Sequence, residues 1–332
     1  MSEVLQREEH HPLRGSNGHP IKIALLLPWV GELPWYYGLF EASVRWAGID
    51  LVLIHESTDY FRKRAERALG VTVGLKDGYK LCDLKPMYGR IFAEELTGYD
   101  YWAFGDCDVI FGRKMGEWIR RVTSEGWDVA CVRKEWTSGP FTLMRNCEKV
   151  NTLFERSAKW RDVVASPRHI AFDELGPNWF LRYIYGGIQL KRLRTESDCF
   201  ANVMWNAKDV RFLHEDVLCE DGLSKSVARM DIHGRLAIDG DEIPAFHMIG
   251  VKTKLSFCGP LLAAKDVGEY SLSRFGYHTG IGEMPRCLKV ARKMVGASRF
   301  FCRWLRGYTI ERKRVRRVIH RVLLRSPTWW KS

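Results

Sequence analysis

The sequence predicts an α/β protein, a Rossmann-like mixed sheet flanked by helices, with a basic helical tail. Three observations carry this. Two apolar runs near the start are joined by a helical stretch; an aromatic, strand-like run ends in two aspartates; and the excess positive charge is confined to the segment from Pro285 onward. At 332 residues and 46% hydrophobic content the chain has ample material for a sizeable core.

Order begins at "IKIALLLPWVG", a continuous apolar run from Ile21 ended by Pro28 and Gly31, which reads as a buried strand. The helical stretch "LPWYYGLFEASVRWAG" and a second apolar run, "IDLVLIHES", complete a β-α-β unit, the mark of parallel strands. From Lys80, "KLCDLKPMYGRIFAEELTGYD" predicts a further helix, with Asp83 or Lys85 near its start, Pro86 in the first turn and Gly98 as its stop. Next comes "YDYWAFGDCDVIFG", Tyr99 to Gly112. In a strand the side chains at i and i+2 share a face, so Asp106 and Asp108 are expected to project together with Cys107 turned away. Carboxylates so close repel unless a divalent cation, a basic side chain or exposure at a turn relieves them. Their place at the C-terminal end of a strand is where open α/β sheets hold ligands.

Beyond this point "KMGEWIRRVTSEG" predicts a helix, "WDVACVR" a strand and "TSGPFTLMRN" a small-residue turn. A charged helical segment leads to "AFDELG", Ala171 to Gly176, and "GRLAIDGDEIPAFHMIG" reads as a hairpin turning at Asp239 and Gly240.

The net charge of +12 suggests a nucleic-acid partner until it is located. From Pro285 to the end there are 15 Lys and Arg residues and one acid, Glu311, while the rest carries 37 basic and 39 acidic residues. The body is close to neutral, and no companion motif for nucleic acid accompanies the tail. Nine cysteines with no CxxC pair argue against a disulfide framework or zinc ribbon and fit a reducing cytoplasm. The N-terminal "MSEVLQREEHHPLRGSNGHP" has no apolar core of a secretory signal and is expected to be disordered. No apolar run approaches the roughly 18 residues of a spanning helix. The expected organisation is a disordered segment over 1–20, one domain over 21–260, a linker over 261–284 and a basic amphipathic helical tail over 285–332.

In this order, "LPWVGELPWYYGLFEASV", "KLCDLKPMYG", "YDYWAFGDCDVIFG", "SGPFTLMRN", "FDE" and "FHMIGVKTK" resemble the metal-dependent glycosyltransferases of the GT-A fold. More narrowly they are similar to bacterial glycosyltransferase-like proteins linked to surface polysaccharide synthesis; the resemblance spans roughly Ile21 to Lys254. It implies a nucleotide-sugar donor, a glycan or lipid-linked acceptor, and Mn²⁺ or Mg²⁺ as cofactor. It also implies that Asp108 binds the metal, that Asp106 contacts the ribose or the metal shell, and that His247 completes the coordination. Lys252 and Lys254 would hold phosphate, and Pro28, Asp83, Lys85 and Gly139 would border the donor. The second strand ends in "HESTD" where a Thr-Asp-Asp-like ending is expected, which leaves the base-contacting acid open between Glu56 and Asp59. Asp173 and Glu174 occupy the place of the acidic catalytic motif, either serving as the base that an inverting transfer requires.

Each residue also has a plainer reading. Asp106 and Asp108 can be a solvated turn, His247 a hydrogen-bonded core residue, Asp83 a helix cap, and one of Asp173 and Glu174 a helix-start acid. A dehalogenase-type phosphatase fits poorly, because its aspartate pair follows the first strand, which here ends in "LPWVG"; a sugar nucleotidyltransferase lacks its glycine-rich phosphate loop. The remaining alternatives are a nucleotide-sugar hydrolase and an inactive membrane-associated scaffold.

In the tail, Val315, Val318, Ile319, Val322 and Leu323 form a helical stripe, as do Phe301, Trp304, Leu305 and Tyr308, with arginines on the other faces and Trp329 and Trp330 near the end. Such helices suit the interface of an anionic membrane, here the cytoplasmic face of the inner leaflet, where each basic residue contributes about 1 kcal/mol. The full chain is therefore expected to cosediment with anionic liposomes in a salt-sensitive manner, and a chain truncated before Pro285 to remain in the supernatant. Equal sedimentation of both would refute the tail as anchor.

Overall fold

The computed structural model describes residues 20–176 except 135, 199–252 except 221, 222 and 224, and 268–280, together with 294 and 296. The expected disordered N-terminus and nearly all of the basic tail lie outside these residues. The first strand, β1 (Ile23–Trp29), pairs in parallel with β2 (Asp50–His55), and the crossover between them is helix α1 (Tyr37–Ala47). Gly48, with φ of 67°, ends that helix in the left-handed conformation that glycine adopts without strain. Next in the chain come β3 (Tyr101–Gly105), β4 (Val109–Phe111), β5 (Val129–Cys131), β6 (Phe141–Arg145) and β7 (Phe212–His214). The main sheet has the order β2-β1-β3-β6-β5-β7. β3 is parallel to β1, β6 is antiparallel to both β3 and β5, and β7 is parallel to β5. This mixed sheet flanked by helices is the α/β class that the apolar runs predict.

Both faces of the sheet are covered, which is why β1 reads as an unbroken apolar run. Ala24 and Leu26 belong to a cluster with Phe61 and Ala65 of α2 (Thr58–Leu69). That cluster also takes residues of two short helices, α3 (Leu81–Leu84) and α4 (Tyr88–Ile91). Ile23, Leu25 and Leu27 face the opposite cluster with Phe40 and Val44 of α1 and Met115 and Ile119 of α5 (Arg113–Ser124). Pro28 does not end β1, which continues to Trp29. The β3 ladder stops at Leu26, so a residue without an N–H is tolerated there.

Three expectations give way to different local structure. The helix expected from Lys80 is broken into α3, a 3₁₀ turn at Lys85–Met87 and α4, followed by turns up to Gly98. Pro86 is the physical reason, since it lacks the N–H a continuous helix needs and crowds the preceding turn. The "TSGPFTLMRN" turn ends at Pro140; Phe141 to Met144 are buried, with Met144 facing one apolar cluster and Phe141 and Leu143 the other, as a central strand requires. Finally, the span 261–284 is not only a linker. Its residues Tyr270–Ser273 and Gly276–Thr279 pair with each other and join a second sheet, so folded structure continues past residue 260.

That second sheet is built from β9 (Ala228–Met230), β10 (Leu236–Ile238), β11 (Asp241–Glu242), β13 (Tyr270–Ser273) and β14 (Gly276–Thr279), in the order β11-β10-β9-β13-β14. The predicted hairpin is β10–β11, with Asp239 and Gly240 at φ of 50° and 101°, the left-handed pair a two-residue hairpin loop demands. The chain then leaves this sheet. β12 (Ala245–His247) runs antiparallel to β4 and parallel to β8 (Leu218–Cys219), making a separate three-stranded sheet.

Helices α1 and α5 approach closely at Gly116, where an added Cβ would lie 2.5 Å from the Trp46 carbonyl oxygen. Helix propensity alone favours alanine at this position by about 1 kcal/mol. The overlap is with backbone and outweighs it, so Gly116→Ala is expected to destabilise the protein by about 1–3 kcal/mol, as overpacking does. A lowered urea midpoint is the expected reading; a raised one would show that the two helices can separate at no cost.

Candidate functional site

A cleft of about 620 Å³ opens at the C-terminal ends of β1 and β3, lined by Pro28, Tyr36, Asp106, Asp108, Asp173 and His247 among others. Asp106 and Asp108 do not sit in a strand. They occupy a turn between β3 and β4, closed by Val109 N–H donating to Asp106 O at 3.2 Å, so the alternation of strand side chains is not what brings them together. The turn is held at both ends: Asp106 N–H donates to Pro140 O at 3.1 Å and Met248 N–H to Asp108 O at 2.9 Å. Antiparallel pairing of β4 with β12 sets His247 opposite Val109 and hence beside Asp108. One ligand atom from each of Asp106, Asp108 and His247 falls within 4.8 Å of the others.

His247 Nε2 lies 3.2 Å from Asp108 Oδ2, and Lys252 Nζ lies 2.5 Å from the same oxygen. The other ring nitrogen of His247 is 2.6 Å from Glu220 Oε1. Burial works against ionising Asp108, but His247 and Lys252 outweigh it and hold the carboxyl down at about 2. Burial likewise disfavours an imidazolium, yet Asp108 and Glu220 push His247 up to about 9. The ring therefore carries a proton between two carboxylates at neutral pH.

These residues fit a divalent cation. Asp108 Oδ2 is buried and lies beside the ligand atoms of Asp106 and His247, with Lys252 as its present counter-charge. Carboxylate oxygens with one imidazole suit a hard ion such as Mg²⁺ or Mn²⁺. Ligation at Nε2 requires the neutral ring, so a bound ion would displace the His247 proton.

Across the cleft, Asp173 and Glu174 follow Ala171, whose φ of 55° is a strained, left-handed backbone for a residue with a Cβ. The strain is held by surrounding contacts: Thr137 Oγ1 donates to Asp173 O at 2.9 Å, and Gly139 N–H donates to Glu174 Oε1 at 3.0 Å. At Gly139 an added Cβ would meet Asp173 Oδ2 at 2.8 Å, so this position needs glycine for close approach rather than for its φ. Burial raises the Asp173 pKa, opposed by Lys85 and reinforced by Glu174, Asp83 and Asp106, to about 7. Glu174 is also raised, again by burial first, with the Gly139 N–H and Lys85 opposing. A carboxyl poised near neutrality can accept a proton from a substrate hydroxyl.

The other candidate residues divide into two groups. Pro28, Lys85, Gly139 and Lys252 border the cleft. Asp83 lies beneath it and is fully buried, paired with Lys80 Nζ at 2.7 Å and accepting from Ile170 N–H and Phe172 N–H at 2.8 Å each. It anchors the segment that carries Asp173, and its oxygens are engaged by the protein itself. Glu56 and Asp59 are not among the residues lining the cleft; Asp59 opens α2 and pairs with Arg62 and Lys63. Lys254 lies outside the described residues. Two residues of the site carried no signal in the sequence, Glu220 and Arg133, which pair with each other. Glu220 follows a two-residue strand, too short for any periodic pattern.

Asp83→Asn keeps the shape but leaves Lys80 buried without its counter-charge. A loss of about 3–5 kcal/mol in chemical denaturation is expected, the cost of breaking a buried ion pair. Wild-type stability combined with weakened nucleotide binding would instead assign Asp83 to the ligand.

Among solved structures, the chain is similar to a glycosyltransferase involved in the glycosylation of the major capsid of PBCV-1. Identity is 12% and the TM-score 0.34, with 69% of this chain and 93% of that one covered. It is similar to mouse xyloside xylosyltransferase 1 in its apo form at 8% identity and a TM-score of 0.34, covering 68% and 96%. It is also similar to A197 from STIV at 17% identity and a TM-score of 0.24, covering 38% and 65%. No curated protein matches the sequence. Residues 48–221, more than half of the chain, match a family of unknown function. That span runs from the end of α1 to just past Glu220 and takes in both aspartates of the turn and the acid pair Asp173 and Glu174, and the chain belongs to this family, DUF6625.

Proposed function

We propose that this protein is a glycosyltransferase of the GT-A type that uses a nucleotide-sugar donor and a divalent cation. One observation carries the proposal: Asp106, Asp108 and His247 converge within 4.8 Å on one side of a cleft whose other side holds two carboxyls with raised pKa values, Asp173 buried and Glu174 half-buried. An inverting sugar transfer from a nucleoside diphosphate uses both features. A cation held by Asp106, Asp108 and His247, Mn²⁺ or Mg²⁺, would supply Lewis-acid neutralisation of the diphosphate charge. Lys252, beside Asp108, adds positive charge on the same side, and Lys254 is assigned the same role. Asp173 or Glu174 takes the proton of the acceptor hydroxyl, whose own pKa is far too high to lose it unaided. The volume of the cleft, about 620 Å³, lies within the range of small-molecule sites.

The acceptor is a glycan or lipid-linked sugar of surface polysaccharide synthesis, met at the cytoplasmic face of a membrane through the basic tail. Among the described residues, no helix is long and apolar enough to cross a membrane. One observation favours a second reading, that of an inactive scaffold: His247 and Lys252 already neutralise Asp108 without any cation.

A thermal-shift panel of nucleotide sugars separates these readings, because a ligand that binds the native state raises its melting temperature. The expected result is a rise with one donor that requires Mn²⁺ or Mg²⁺ and is absent in Asp108→Ala. No rise with any donor supports the scaffold, and release of free sugar without an acceptor supports a hydrolase.

For the acid pair, Asp173→Asn or Glu174→Gln is expected to retain donor binding and to lower turnover by roughly 10²-fold or more, whichever is the base. If Asp173 is that base, kcat/KM falls as the pH drops below about 7, because the raised pKa leaves the carboxyl protonated there, and the decline disappears in Asp173→Asn. Near-normal turnover in both variants would remove the pair from the reaction.

A further inference from the structure

Lys85 is the one lysine that reaches both halves of the cleft among the contacts described. Its Nζ is 2.6 Å from Asp106 Oδ1, 2.9 Å from the Gly139 carbonyl oxygen and 3.5 Å from Asp173 Oδ2. These partners come from three separate segments: the turn after β3, the loop before β6 and the turn carrying the acid pair. The side chain is buried, and it stands on the 3₁₀ turn that Pro86 imposes. An ammonium has three donors, and here three acceptors surround it, so little remains for a nucleotide phosphate.

Burial of a lysine normally drives it toward the neutral amine. Here two carboxylates face it instead, Asp106 Oδ1 at 2.6 Å and Asp173 Oδ2 at 3.5 Å. The same charge faces Asp173 from below, where Glu174, Asp83 and Asp106 are the negative groups and His169, Tyr79 and Cys82 stand nearby.

We infer that Lys85 is a positioning residue that ties Asp106 to Asp173 across the floor of the cleft and fixes the separation of the cation group from the acid pair. This rests on the proposed function only for the roles given to those two aspartates. Lys85 is thus removed from the donor-contacting set and assigned to the protein's own framework. The tie makes the two halves of the site one electrostatic unit, so a change at Lys85 is felt at Asp173.

The test is carboxyl-carbon NMR of the full-length chain without added metal, with Asp173→Asn used to assign the Asp173 signal. In Lys85→Met, shown to be folded by near-ultraviolet circular dichroism, Asp173 is expected to titrate higher by about one pH unit or more. Lys85→Arg keeps the charge and is expected to move it less. An unchanged Asp173 titration in folded Lys85→Met, or an equal shift in both variants, overturns the inference. If Lys85→Met does not fold, Lys85→Gln carries the test: it removes the charge and keeps a polar head, Asp173 is again expected to titrate higher, and no change overturns the tie. Titration needs no turnover, so the expected shifts in a protein that transfers no sugar would uphold Lys85 while refuting the proposed function.

Discussion

Five carboxyl groups, those of Asp106, Asp108, Asp173, Glu174 and Glu220, line one cleft at the end of the main sheet, and the charge they would carry together is the constraint that organises everything around them. Carboxylates at such separations and in such burial cannot all ionise without compensation. The protein answers with different chemistry at each point. Asp106 has Lys85, Asp108 has His247 and Lys252, Glu220 has Arg133, and the acid pair, where burial outweighs Lys85, Arg133 and the Gly139 N–H, has its pKa values raised. One fold thereby holds ionised and proton-accepting carboxyls side by side, and the difference between them comes from their neighbours.

The backbone arrangement follows from where each partner must stand. His247 reaches Asp108 because β12 leaves the second sheet and pairs with β4, the strand that begins directly after the aspartate turn. Gly139 reaches the acid pair because β6 lies against β3, so the loop before β6 overhangs the same strand end. Asp83 and Lys80, buried below the cleft, supply the fixed point to which residues 170–172 are bonded. The left-handed Ala171 is the visible strain in this arrangement, stored next to the residues proposed for chemistry.

Much of this could be read from the sequence where a pattern is long or its chemistry distinctive. The parallel β1–β2 unit showed itself in two apolar runs, and the Asp239–Gly240 hairpin in its turn residues. The aspartate turn was found at the correct place for the wrong local reason, since its two side chains converge through a turn rather than through strand alternation. The segment from Lys80 kept a helical spacing of buried residues, Leu81, Leu84, Met87, Tyr88 and Ile91, while Pro86 broke the helix itself. A periodic pattern reports which residues are buried and not whether hydrogen bonding is continuous. Glu220 and Arg133 escaped notice because their place depends on pairing between distant, very short strands, which no local window contains. The double partnership of Lys85 is of the same kind: the sequence shows a lysine before a proline, and only the tertiary arrangement shows which carboxyls it meets.

The most direct test of the central claim, that Asp106, Asp108 and His247 hold a divalent cation, is an anomalous-scattering map from crystals grown with Mn²⁺ and a nucleoside diphosphate. One strong peak is expected within about 2.0–2.6 Å of carboxylate oxygens from this group, the span of hard-cation contacts, with Lys252 drawn off Asp108. A map with no peak there, and with His247 and Lys252 still closed on Asp108, would contradict it.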